Sequence, residues 1–127
     1  MTTFDKVILE TGPDGFARFS NTELALPEGN PSSQLSALFP SQGYQIRHSP
    51  VGFCSEFHCS PFPQWVFILS GEMEIGLQDG RSKVFKPGDH FYSADLLPDG
   101  MLFDLKIHGH WSRQVGPLGL VTLFVRG

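Results

Sequence analysis

The side chains able to do chemistry gather in two stretches of the chain. Residues 52–64 (GFCSEFHCSPFPQ) hold Cys54, Glu56, His58, Cys59, Ser60 and Gln64, and residues 108–113 (HGHWSR) hold His108, His110 and Arg113. Read as a strand over 52–59, the first stretch alternates with a period of two. That puts Cys54, Glu56, His58 and Ser60 on one face and Phe53, Ser55, Phe57 and Cys59 on the other. Turned inward, the polar set would line a cavity; turned outward, it would only meet solvent. Imidazoles titrate near neutral pH, so the histidines are the natural candidates for moving a proton. His48 and His90 adjoin turn residues and read as surface groups. Cys54 and Cys59 are the only cysteines, about 16 Å apart on an extended strand and on opposite faces, which predicts two free thiols. No base can be placed beside either thiol, so neither is favoured as a nucleophile.

These residues need strands to position them, and the chain reads as little else. Residues 65–69 form an apolar run rich in aromatic and β-branched side chains, Ser70-Gly71 breaks it, and residues 72–77 alternate polar with apolar, which predicts a hairpin. Asp79-Gly80 supplies the next turn and Pro87-Gly88-Asp89 closes the strand after it, so the meander continues. Further strands are expected over 4–10, 16–19, 22–26, 43–49, 88–94, 101–108 and 118–125. Residues 27–33 read as a polar loop, and 34–39 as at most one helical turn ended by Pro40. Some ten short strands with regular turns and almost no helix indicate a sandwich or a jelly-roll barrel.

Composition limits the partners. A chain of 127 residues fits one domain with one real core, here 1–127, and a hydrophobic share of 40% excludes disorder. A net charge of −4 with only nine basic residues argues against a nucleic-acid surface or an anionic membrane surface. No apolar run approaches the roughly 20 residues of a membrane span, and no basic start precedes an apolar core, so a cytoplasmic protein is expected.

Gly52, His58, Ser60, Gln64 and Gly71 have the spacing of the first motif of the cupin superfamily, Gly-x5-His-x-His-x3-Glu-x6-Gly. Ser60 stands in place of the second histidine and Gln64 in place of the glutamate. Pro87-Gly88-Asp89 is similar to the turn opening the second motif, and His110 to its histidine, although extra residues over 96–109 leave His108 as the alternative. The chain also resembles small single-domain bacterial cupins of largely unassigned activity. Their pattern His-x-x-Pro-x-x-Gln, LSG, PGD and GHxxR is met by His58, Pro61, Gln64, residues 69–71, residues 87–89, and His110 with Arg113. The resemblance implies an all-β, single-domain cupin-type jelly-roll barrel (a double-stranded β-helix) with little helix.

It also implies that His58, Gln64 and His110 converge. In cupins that convergence holds a divalent ion such as iron, nickel, manganese or zinc. Gln64 and Ser60 are poor neutral donors, so affinity should be reduced unless Glu56 restores a carboxylate or His108 an imidazole. Without metal, His58 and His110 would act as acid and base while Gln64 and Arg113 orient a carboxylate or carbonyl of a small substrate. Three functions follow: an oxygenase, isomerase or lyase with a weakened metal site; a metal-free binding or sensing module with a Phe-lined pocket; or a decayed site serving oligomerisation. Cupins commonly pair through N-terminal strands, and the apolar run Val7-Ile8-Leu9 would want a partner edge, so a homodimer is expected.

Overall fold

Strands form where period-two alternation and aromatic or β-branched residues coincide. The computed structural model describes residues 2–127 and has eleven strands, with no α-helix among those residues. A six-stranded sheet runs in the order β2 (Ala17–Ala25), β1 (Thr3–Thr11), β9 (His90–Ala94), β6 (Gln64–Ser70), β11 (Leu120–Arg126), β5 (Tyr44–Ser49). A three-stranded sheet runs β10 (Trp111–Val115), β7 (Glu72–Gly76), β8 (Ser82–Phe85), and β3 (Glu28–Asn30) with β4 (Ser33–Leu35) makes a separate hairpin. Every pairing is antiparallel except β1 with β9. No helix among the described residues is long and apolar enough to cross a membrane.

The predicted hairpin over 65–77 does not form. β6 lies in the large sheet and β7 in the small one, so Ser70-Gly71 is a corner that carries the chain between sheets. Gly71 has φ +72°, and a Cβ there would meet the Gly119 carbonyl oxygen at 2.4 Å, so this corner needs glycine. Pro87-Gly88-Asp89 returns the chain to the large sheet in the same way, and only the Asp79-Gly80 turn joins paired neighbours, β7 and β8. These crossings between two facing sheets make a jelly roll where local pattern suggested a meander.

Three other local expectations change. Residues 22–26 are mostly the end of one long β2, and 28–35 form a hairpin where a loop and a helical turn were expected. Residues 101–108 alternate convincingly but form no strand, because local hydrogen bonds compete with a ladder. The amides of Ile107 and His108 donate to the Asp104 carbonyl at 3.0 and 2.8 Å, and the Lys106 amide donates to Asp104 Oδ1 at 2.9 Å.

Inward alternation decides what fills the barrel. Leu9, Ile68, Phe85 and Leu120 are fully enclosed, with the Phe85 ring packed at a tilt on Phe91, centres 4.7 Å apart. Each such side chain contributes on the order of 1.5–3 kcal/mol by leaving water. Polar residues share the inward faces: Arg47 and Ser49 on β5, Gln64 on β6, Ser93 on β9, Ser112 and Gln114 on β10, Thr122 on β11. Val66, Met73, Ile75 and Phe91 belong both to the core and to the wall of a cavity beside it.

Candidate functional site

The irregular stretch 52–59 sets the geometry of the site. It is not the strand expected there, yet it runs along the free edge of β10. The Ser55 amide donates to the Ser112 carbonyl at 2.8 Å, and His58 and His110 exchange both backbone bonds at 2.9 and 3.0 Å. Cys54 lies opposite Arg113 and His58 opposite His110, so four steps on one side (54 to 58) face three on the other (110 to 113). One extra residue in the 54–58 segment is a bulge, and it flips the facing of everything beyond it. Cys54 and Glu56 therefore point outward, while His58 and Ser60 point into the barrel; the single polar face predicted for this stretch is split in two. Gly109, with φ +88°, allows the close passage, since a Cβ there would sit 2.7 Å from the His58 carbonyl oxygen.

His58 and His110 stand with ring centres 4.7 Å apart. His110 is buried, and its Nδ1 lies 2.8 Å from Oδ2 of Asp95, which is entirely enclosed just beyond β9. The other Asp95 oxygen accepts the Thr11 hydroxyl at 2.7 Å. A carboxylate opposite Nδ1 puts the proton on that nitrogen and leaves Nε2 as the free edge of the ring. His58 Nδ1 lies 2.8 Å from the Glu56 carbonyl, which assigns its proton in the same way. His58 remains partly exposed to solvent, and the desolvated part of its ring pushes its pKa below the ordinary value. The nearby positive groups of His110 and Arg47 add to the effect, and the Glu56 carbonyl and Asp95 oppose it.

Both rings border a cavity of about 310 Å³ whose wall includes Arg47, Gln64, Phe62, Phe91 and Phe124. Ser60 is inside but occupied, its hydroxyl 2.7 Å from Ser93 Oγ and accepting from the Asp95 amide at 3.1 Å. His108 is buried elsewhere, its Nδ1 accepting from the Asp104 amide at 2.9 Å, so His110 is the histidine that meets His58. Glu56 and Arg113 border a larger, open groove of about 680 Å³ between β10 and residues 105–106, with Cys54, Phe57 and Trp111. Arg113 is engaged there, donating from Nε to Glu74 at 2.6 Å. Both cysteines are free, and burial followed by the charge of Asp95 pushes the Cys59 thiol up. His90 is not the surface group expected: it is half-buried, accepts the Val7 amide at 3.2 Å and packs on Phe4 and Trp65.

Two residues of the site carried too little signal to be singled out from sequence. Arg47 alternates with Gln45 and Ser49 on β5, and Asp95 extends the inward register of Phe91 and Ser93. Both patterns were present, but each gains meaning only from the partner that folding brings.

The donors present do not fit the transition metal implied by the cupin motif. Two imidazoles and the Gln64 amide converge, but Asp95 is turned to His110 and Thr11, Glu56 lies outside, and Ser60 is bonded within the wall. No group of three or more His, Cys, Asp or Glu able to hold a metal occurs among the described residues. The Arg47 guanidinium adds a positive charge to the same cavity. Protein sites for such an ion supply three or more imidazole, thiolate or carboxylate ligands, and this wall offers two imidazoles.

No protein-family model matches the sequence, and no curated protein matches it. Among solved structures the chain is similar to the Cnp3 cupin domain of Schizosaccharomyces pombe. The identity is 13% and the TM-score 0.48, over 98% of this chain and 83% of that one. The sheet order, the two corners between sheets, and the meeting of His58 with His110 inside the barrel are all properties of the chain itself. By these it has an all-β jelly-roll fold.

Proposed function

We propose that this chain binds a small organic molecule in the barrel cavity and does so without a metal. The observation that carries the reading is the His58–His110 pair at 4.7 Å, presenting two free Nε2 edges to a cavity in which no carboxylate is available to complete a metal site. At about 310 Å³ the cavity lies at the low end of the roughly 300–1,000 Å³ typical of ligand pockets, which suits a small metabolite. An open cavity also disfavours a decayed, side-chain-filled barrel. Its wall combines aromatic and aliphatic surface with a few fixed polar groups, the usual composition of a small-molecule site.

A second reading makes the ligand a substrate, and the Asp95–His110 contact at 2.8 Å favours it. A carboxylate on Nδ1 orients the ring, presents Nε2 as a base and stabilises the imidazolium formed when it takes a proton. The His110 imidazolium would return the same proton to another atom of the ligand, while His58, 4.7 Å away, accepts a hydrogen bond from the ligand at its free Nε2. The test is a ligand-observed NMR screen of small metabolites on chelator-treated protein, followed by the imidazole resonances of His58 and His110. Binders that shift both sets of resonances in the presence of chelator are expected. Binding that appears only after a metal is restored would overturn the proposal.

A further inference from the structure

Among the described residues Arg47 has no counterpart for its charge. Arg18, Arg81 and Arg113 each pair with a carboxylate, Glu10, Asp79 and Glu74 respectively. Arg47 instead reaches the cavity wall from β5, and its Nε and Nη2 are buried with no hydrogen-bond partner. Thr122, directly opposite on β11, is also buried, and its hydroxyl is likewise unpaired. Buried polar groups nearly always find partners, and a cation without one is rarer still. The guanidinium carbon stands 5.2 and 5.1 Å from the ring centres of Phe53 and Phe124, contacts that offset part of the cost and none of the missing hydrogen bonds.

We propose that the ligand is a small organic carboxylate with an apolar body, its carboxylate received by the Arg47 guanidinium and its body lying on Val66, Met73, Ile75 and Phe91. This rests on the metal-free reading of the same cavity. Nε and Nη2 lie on one edge of the guanidinium and match the two oxygens of a carboxylate, the planar bidentate pairing at which arginine excels. Thr122, fully buried behind the cavity wall, leaves its hydroxyl unpaired opposite Arg47 and does not itself border the cavity. Phe124 lines the cavity and stands over the guanidinium, and the proposal requires its ring to turn aside when the carboxylate enters. The wall offers no free carboxylate, so the potential inside favours an anion. One guanidinium against an apolar wall suits a carboxylate better than a phosphate, which would leave more oxygens without donors.

The test compares phenylacetate with phenylacetamide, which has the same shape and no charge, and with inorganic phosphate, on chelator-treated protein followed by the Arg47 Nε–H resonance. Phenylacetate should bind about tenfold or more tighter than the amide and move that resonance. The Arg47→Met variant should lose this preference while still binding the amide, and Arg47→Lys should keep part of it. Equal binding of acid and amide, or a preference unchanged in Arg47→Met, overturns the carboxylate assignment while leaving a metal-free pocket. Tighter binding of phosphate overturns it too, and binding of none of the three without added metal overturns both readings. Circular dichroism of Arg47→Met separates lost recognition from lost folding.

Discussion

A buried carboxylate that accepts from both an imidazole and a hydroxyl holds both in place, and Asp95 does this for His110 and Thr11. Asp95→Asn turns one acceptor into a donor facing a protonated Nδ1 or a hydroxyl. It should cost about 2–3 kcal/mol in urea unfolding, the range for hydrogen bonds to charged groups. Arg47 lies at the other extreme. Two of its nitrogens are desolvated and unpaired, so Arg47→Met should stabilise the unliganded protein by about 1 kcal/mol, read from the same curves. Burial is the first cause that lowers the pKa of both His58 and His90 from 6.5. The unfolded chain therefore takes up protons that the folded chain resists. Stability should fall as pH drops through about 6.5 and level off once the folded imidazoles are charged as well. Replacing both by glutamine should flatten that slope, and an unchanged slope would assign it to other groups. At this scale periodicity left open whether the polar face of Cys54, Glu56, His58 and Ser60 turned inward, and only the resemblance brought His58, Gln64 and His110 together. Arg47 and Asp95 were not legible, because a lone arginine or aspartate acquires a role only from what folding places beside it.

Elements explain why some legible residues went to the wrong place. Period-two reasoning assigned Glu56 and His58 to one face, and the extra residue between Cys54 and His58 separated them. A bulge leaves no mark in local alternation, so Glu56 was drawn toward a cavity it does not border; Arg113, placed there by the resemblance, faces the open groove instead. The same limit applies to Ser70-Gly71, where a hairpin and a crossing between sheets have the same local sequence. Gly109 is the element-scale test. Its φ of +88° and its contact with the His58 backbone leave no room for a side chain, so Gly109→Ala should destabilise by about 2–3 kcal/mol. The His58 and His110 resonances should separate from each other in its NMR spectrum. A variant as stable as the parent would mean that the close passage does not hold the two histidines together.

At the scale of the molecule, the all-β jelly roll was readable from regular short strands and turn residues, since patterning reports fold class better than pairing. The physical ground for an N-terminal partner edge fails, because β1 lies between β2 and β9 and its apolar run is satisfied within the chain. The open edges are β2 and β5, and β5 leaves Tyr44 73% and Ile46 63% exposed. Self-association is therefore expected along β5. Sedimentation at micromolar concentration should give the mass of two chains, reduced to one by Ile46→Lys; a single-chain mass for the parent protein would contradict it. The central claim, a jelly-roll barrel that holds its ligand with Arg47 and two histidines and no metal, is tested most directly by elemental mass spectrometry. Untagged protein would be purified without chelator, incubated with iron, nickel, manganese and zinc, and compared with His58→Ala. The account predicts metal far below one ion per chain in both proteins. About one transition metal per chain, lost in His58→Ala, would contradict it.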